Sequence, residues 1–329
     1  ERLLGRGGMG EVHAAIDLRG GRPVAIKLML GHRLDNLDAR ARFEREARVG
    51  ARIDSDYLVY VYDAGADGET PFLVMELLDG EDLEQRLARL GPRPAAEVVD
   101  HLAQVALALT RMRSERIVHR DLKPSNIFLQ TRSGEPPRIK VLDLGLAKEL
   151  TESVGQTTSV AGTPAYMAPE QISSGRISAA TDRYALGLIA FTLLAGATYW
   201  SKAPDEEPIA LAIRMKDGPR SPATARARAL GVELPAAFDA WFARATARRP
   251  DRRFATAIAA IREIAAALGV DAPPLPDEEG EPVSEVLPVG TVSPSAQAPV
   301  AAKRTSSTKR QSGASARVIE RPPRERKRI

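Results

Sequence analysis

An α+β fold is expected for this chain of 329 residues on three observations. Residues 1–80 carry short β-type runs around one helical pattern, residues 81–270 carry a succession of longer helical patterns, and the remainder has too little apolar content to form a core. The length allows about two domain-sized units. A composition of 43% hydrophobic and 27% charged residues is that of a globular chain. Cysteine is absent, which excludes disulfides and thiolate metal sites and fits a reducing compartment.

Taken in order, "EVHAAIDL" alternates like a strand, and Val24-Ala25-Ile26 and Phe72–Met75 are further β runs. Between them "DARARFEREARVGARI" predicts a helix with Phe43, Glu46, Gly50 and Ile53 on one face. Helices are expected over 95–112, 182–196, 207–216, 236–247 and 255–268, a strand in "RIKVLDLGLA", and a Ser/Thr/Gly-rich loop over 151–170. The uncharged run Tyr184–Trp200 is 17 residues long, at the bottom of the ~17–25 range of a membrane-spanning helix. Asp182 and Arg183 precede it and small residues interrupt it, so it reads as a helix buried on all sides in a sizeable core.

From Asp271 onward the Pro/Ser/Ala-rich composition predicts disorder, because little apolar surface is available to offset ordering entropy. This tail is acidic over 271–302 and basic over 303–329. The tail thus contributes half of the net charge of +4, and the +2 left to residues 1–270 gives the folded part no basic face. The sequence opens on Glu1 inside what reads as an incomplete first strand, and a longer parent protein is expected. No internal repeats are visible.

Three groups of residues carry chemistry. "LGRGGMGEV" sets Gly5, Gly7 and Gly10 in a G-x-G-x-x-G pattern, but a strand follows it where a dinucleotide fold would have a helix. A β-hairpin whose backbone N–H groups can approach phosphates closely is the expectation. Lys27 ends "VAIK", and Glu46, turned inward on its helix, needs a cationic partner; Lys27 is the natural one, with Glu44 the alternative acid. Finally, "IVHRDLKPSNIFL" carries Asp121 and Asn126 between apolar flanks, with Asp143 at the next strand end. Two carboxylates and an amide are the hard oxygen donors that a Mg²⁺-nucleotide prefers.

With these motifs in this order, the chain resembles the eukaryotic-type (Hanks-type) protein Ser/Thr kinases, and most closely their bacterial branch. The resemblance runs from Leu3 to about Leu268. It implies a bilobal fold with a small β-rich N-lobe (about 1–78), a larger helical C-lobe (about 79–270) and ATP between them. It further implies that Gly5, Gly7 and Gly10 cover the phosphates and that Lys27, paired with Glu46, holds them. Asp121 would receive the substrate hydroxyl's proton, Lys123 would contact the transferring phosphoryl group, and Asn126 and Asp143 would bind Mg²⁺, with Mn²⁺ as an alternative. Adenine would lie among Leu4, Val12, Ala25 and Phe128, bonded to the backbone of Glu76 and Leu78 behind Met75. "GTPAYMAPE" would be the substrate-positioning loop, with Thr163 near Asp121, Glu170 paired to Arg253, and Asp182 anchoring the catalytic loop's backbone. His119 reads as structural. "DLG" at 143–145 and Gly50 depart from the commoner pattern, in packing rather than in ligands.

The resemblance implies protein substrates carrying Ser or Thr. A pseudokinase scaffold is the alternative, disfavoured by the intact set Lys27, Glu46, Asp121, Asn126 and Asp143. A small-molecule phosphotransferase would lack the A-P-E loop present at 168–170. Phosphorylation at Thr157, Thr158 or Ser159 is expected to switch activity through Arg120 and Lys148, with autophosphorylation between two copies as its source. The basic end "RPPRERKRI" suggests contact with an anionic membrane at the cytoplasmic face, in preference to nucleic acid.

Overall fold

The computed structural model describes residues 2–7, 10–29, 53–68, 70–143, 164–173, 175–201 and 208–277. Five antiparallel strands open the chain: β1 (Arg2–Gly7), β2 (Gly10–Asp17), β3 (Arg22–Leu28), β4 (Val61–Asp67) and β5 (Thr70–Glu76), in the order β1-β2-β3-β5-β4. The β2–β3 turn is closed by Gly21 at φ 65°, whose N–H donates to the Asp17 carbonyl at 2.7 Å. Register places Val12 opposite Lys27, and Ala25 opposite both Ala14 and Met75. One face of this sheet buries Ala25, Leu73, Met75, Val59 and Val61, with Val12, Leu78 and Leu142 packed alongside.

A second sheet, β6 (Gly80–Asp82), β7 (Ile127–Gln130) and β8 (Arg138–Val141), lies at the start of the helical part. Eight helices complete the described residues: α1 (Leu83–Leu90), α2 (Ala95–Ser114), α3 (Pro169–Ile172), α4 (Ala179–Ala195), α5 (Pro208–Asp217), α6 (Ala223–Ala229), α7 (Ala237–Ala245) and α8 (Ala257–Leu268). Helix α4 is the apolar segment of the sequence, and all its residues from Ala180 to Ala195 except Arg183 are buried. Ser178 caps its start, and Gly196, at φ 81°, ends it in the left-handed conformation that glycine adopts without Cβ strain. Gly187 lets α7 approach, since a Cβ there would meet the Ala245 Cβ at 2.9 Å. Among the described residues no helix is long and apolar enough to cross a membrane.

The expected helices at 95–112, 182–196, 207–216, 236–247 and 255–268 are present with shifted ends. The helix expected over 38–53 lies outside the described residues apart from Ile53, which is buried. The strand expected in "RIKVLDLGLA" stops at Val141, because Asp143 turns to φ 55°. The described end of the expected 151–170 loop holds a 3-10 turn, Pro164–Tyr166, and the start of α3. Helix α1 was not anticipated, although Asp82 and Gln85 form the reciprocal capping box that signals its start. Residues 271–277, assigned by composition to the disordered tail, are held against the domain. Arg262 donates to the carbonyls of Leu275 and Pro276 and to the Asp277 carboxylate, and Leu275 packs on the core.

Candidate active site

The segment between α2 and β7 carries the charged residues into a largely buried setting. Leu122, Ile127 and Leu129 fix it to the helical core. Arg120 adopts φ 64°, a left-handed conformation that costs a non-glycine residue energy and must be held by its surroundings. Asp182, at the start of α4, does this by accepting the backbone N–H of His119 and of Arg120, each at 2.9 Å. Burial pushes the Asp182 carboxyl up from its ordinary range, while His119 and the two N–H donors oppose that shift. His119 is fully buried, and its Nε2 lies 2.7 Å from the Leu142 carbonyl, which can only accept. Nε2 therefore carries the proton and Nδ1 accepts from the Asp121 N–H at 3.3 Å. The ring is a strut, as expected.

Asp121, Lys123 and Asn126 come together on this strut. Lys123 Nζ is 3.0 Å from Asp121 Oδ2. Asn126 Nδ2 donates to the Asp121 carbonyl at 2.8 Å and to Oδ2 at 3.1 Å, which leaves its Oδ1 as an oxygen donor. Across the cleft, the nearly buried Lys27 donates to Asp143 Oδ1 at 2.5 Å. The pairing of Lys27 with Glu46 lies outside the described residues, as do Glu44, Lys148, Thr157, Thr158, Ser159 and Thr163. Asn126 and Asp143 offer hard oxygens and no sulfur or imidazole, a donor set that fits a divalent cation whose other ligands are water and phosphate.

The glycine hairpin is built differently. All of β1, Leu4 included, is exposed. A Cβ added at Gly5 or Gly7 would touch nothing within 4 Å, so internal packing does not explain glycine there. Gly10, at φ 135°, requires it. Beneath the hairpin, Val12, Ala25, Met75 and Leu78 share one apolar cluster. Leu142, next to Asp143, joins that cluster and was not singled out from sequence. Phe128 lies on β7 opposite Asp82 and Lys140.

The connection between the lobes has its own anchor. The Glu76 carboxylate accepts from Lys140 Nζ at 2.8 Å and from the Tyr60 N–H at 2.9 Å, and Lys140 also reaches the Leu58 carbonyl at 3.2 Å. Lys140 is buried on β8, three residues before Asp143, so one ion pair ties the end of β5 to the strand that leads to that carboxylate. Alternation along "RIKV" would have placed Lys140 in solvent; the signal lies in the long-range contact.

Behind the cleft, Arg253 and Glu170 form a bidentate pair with two contacts of 2.7 Å. Thr181 Oγ1 donates to Glu170, and Arg253 also donates to the carbonyls of Ala180 and Ala247. Arg253 further lies over the Tyr184 ring.

Comparison with known proteins adds to this geometry. The protein kinase domain family matches residues 1–229. Serine/threonine-protein kinase PknL of Mycobacterium tuberculosis is 36% identical over 257 residues, covering 78% of this chain and 62% of PknL. Pkn1 of Myxococcus xanthus is 38% identical over 263 residues, covering 79% of this chain and 36% of Pkn1. The chain thus spans less than two thirds of the length of these relatives. The crystal structure of the M. tuberculosis PknI kinase domain is similar with a TM-score of 0.62 at 28% identity, covering 81% of this chain and 94% of that one.

Proposed function

Because the chain belongs to the protein kinase domain family, in its bacterial serine/threonine branch, we propose that it transfers the γ-phosphoryl group of Mg²⁺-ATP to Ser and Thr hydroxyls of proteins. The observation that carries the reading is the convergence of Asp121, Lys123 and Asn126 on one rigid loop, with the Lys27–Asp143 pair across the cleft. Bound Mg²⁺-ATP supplies the phosphoryl group and offsets its charge. Asn126 Oδ1 and the Asp143 carboxylate would hold the cation, and Lys27 would hold phosphate oxygens. Glycines 5, 7 and 10 would let backbone N–H groups close over those phosphates. Adenine would pack among Leu4, Val12, Ala25 and Phe128 and bond to the backbone of Glu76 and Leu78 behind Met75. Asp121 orients the incoming hydroxyl and takes its proton, while Lys123 donates toward the transferring group. Glu46 would position Lys27.

The same reading includes autophosphorylation between two copies within residues 151–163, supported by the hydroxyl-rich sequence there and by Arg120 beside Asp121. It also places the chain in the cytoplasm, with the basic 303–329 segment against an anionic membrane surface. The experiment is incubation of the chain with γ-labelled ATP and a Ser/Thr-containing protein, with and without Mg²⁺, beside Asp143→Ala. Label on Ser or Thr that requires both Mg²⁺ and Asp143 is the expected result. Equal labelling by Asp143→Ala would defeat the metal assignment, and no labelling by the parent chain would favour the scaffold alternative.

A further inference from the structure

Residue Gln171, one position past the A-P-E motif, was given no role by sequence, yet its side chain touches both parts of the site that must agree. Its Nε2 donates to the Arg120 carbonyl at 2.7 Å, and its Oε1 accepts the Ala168 N–H at 3.0 Å. A carbonyl faces one end of the amide and an N–H the other, so only this orientation satisfies both. The Arg120 carbonyl belongs to the same rigid peptide plane as the Asp121 N–H, which donates to the His119 carbonyl at 2.8 Å. One end of the peptide that delivers Asp121 is therefore set by His119 and the other by Gln171. Arg120 itself is held at φ 64°, with its N–H fixed by Asp182. Without Gln171 the strained residue would keep its N-terminal clamp and lose the C-terminal one.

We propose that Gln171 is a positioning residue for Asp121, coupling the end of the substrate-positioning loop at Ala168 to the orientation of the catalytic carboxylate. The proposal rests on the assignment of Asp121 as the base. Local space supports it. The cavity lined by Arg120, Asp121, Tyr166, Gln171 and Asp182 measures about 10 Å³, at the lower limit of ~10–15 Å³ that one water needs. Solvent has little room to replace the amide donor while the side chain's volume is kept. Truncation to Ala would make such room, so the informative variants preserve volume.

Gln171→Glu keeps an oxygen for the Ala168 N–H and replaces the donor to Arg120 by a second oxygen. Gln171→Met removes both bonds. In the full chain, each is expected to lower kcat about tenfold while the KM for ATP stays within about twofold. Amide hydrogen exchange of Arg120 and Asp121 should quicken about tenfold in both, with the α2 amides unchanged. Parental kcat in Gln171→Glu would overturn the proposal. So would a fall in kcat with unaltered exchange at residues 120–121, or faster exchange throughout the domain, which marks a purely structural residue. If the parent chain transfers no phosphoryl group, the loss falls on the Asp121 assignment. Exchange then still decides whether Gln171 orients this peptide.

Discussion

The loop around Asp121 and the hairpin of Gly5, Gly7 and Gly10 both belong to the proposed active site, and the chain builds them in opposite ways. Around Asp121 the backbone is strained at Arg120 and held by Asp182, Gln171 and His119. Its apolar neighbours are almost wholly withdrawn from solvent. In the hairpin, β1 is exposed along its whole length, and Gly5 and Gly7 have open space where a side chain would be. Groups that meet developing charge need a fixed geometry before the reaction, and a packed core provides it. On the proposed function, groups that follow the phosphates need close backbone approach, which bare glycine allows. Damage to the first region should therefore reach the fold through its supports, whereas damage to the hairpin should appear in nucleotide binding alone.

The strongest way to break the packed side is Arg253→Ala. It leaves the Glu170 carboxylate buried without its bidentate partner, which should cost about 3–5 kcal/mol in urea unfolding. Next comes Gly80→Ala. Gly80 has φ 136°, and an added Cβ would lie 2.1 Å from the Leu129 carbonyl oxygen, so a loss of about 3 kcal/mol is expected. Gly5→Ala serves as the contrast, with an unchanged unfolding midpoint and a raised KM for ATP. The smallest effect concerns Glu97, whose pKa the Arg93 guanidinium hydrogen bond, with Arg86 assisting, draws from its ordinary 4.5 down to about 2. A depressed carboxylate pKa stabilises the fold above the ordinary value and loses that contribution as pH falls through the folded one. Glu97→Gln should therefore cost about 1 kcal/mol above pH 5 and progressively less as pH falls toward 2, read from unfolding midpoints across that range.

The two regions also differ in how far sequence reaches them. As candidate site residues, Lys27, Asp121, Lys123, Asn126 and Asp143 stand out in the sequence because each has a chemistry rare in its setting: a charge or amide between apolar flanks. The long helices were legible from their periodicity, and the buried helix from its lack of charge. Gln171 and Lys140 were not, since their work depends on partners 51 and 64 residues away in sequence. Composition registers the prolines after Asp271 but not the reach of Arg262 to Leu275, Pro276 and Asp277.

On the proposed function the fold supplies the geometry and Asp121 the chemistry, so the two should separate in one variant. Asp121→Asn keeps the side chain's size and an oxygen near Asn126 and Lys123 while removing the basic carboxylate. Measured together, kcat with Mg²⁺-ATP should fall by about a thousandfold or more while the thermal midpoint stays within about 2 °C of the parent. Turnover near the parental rate, or a loss of activity matched by a loss of the folded state, would contradict the account.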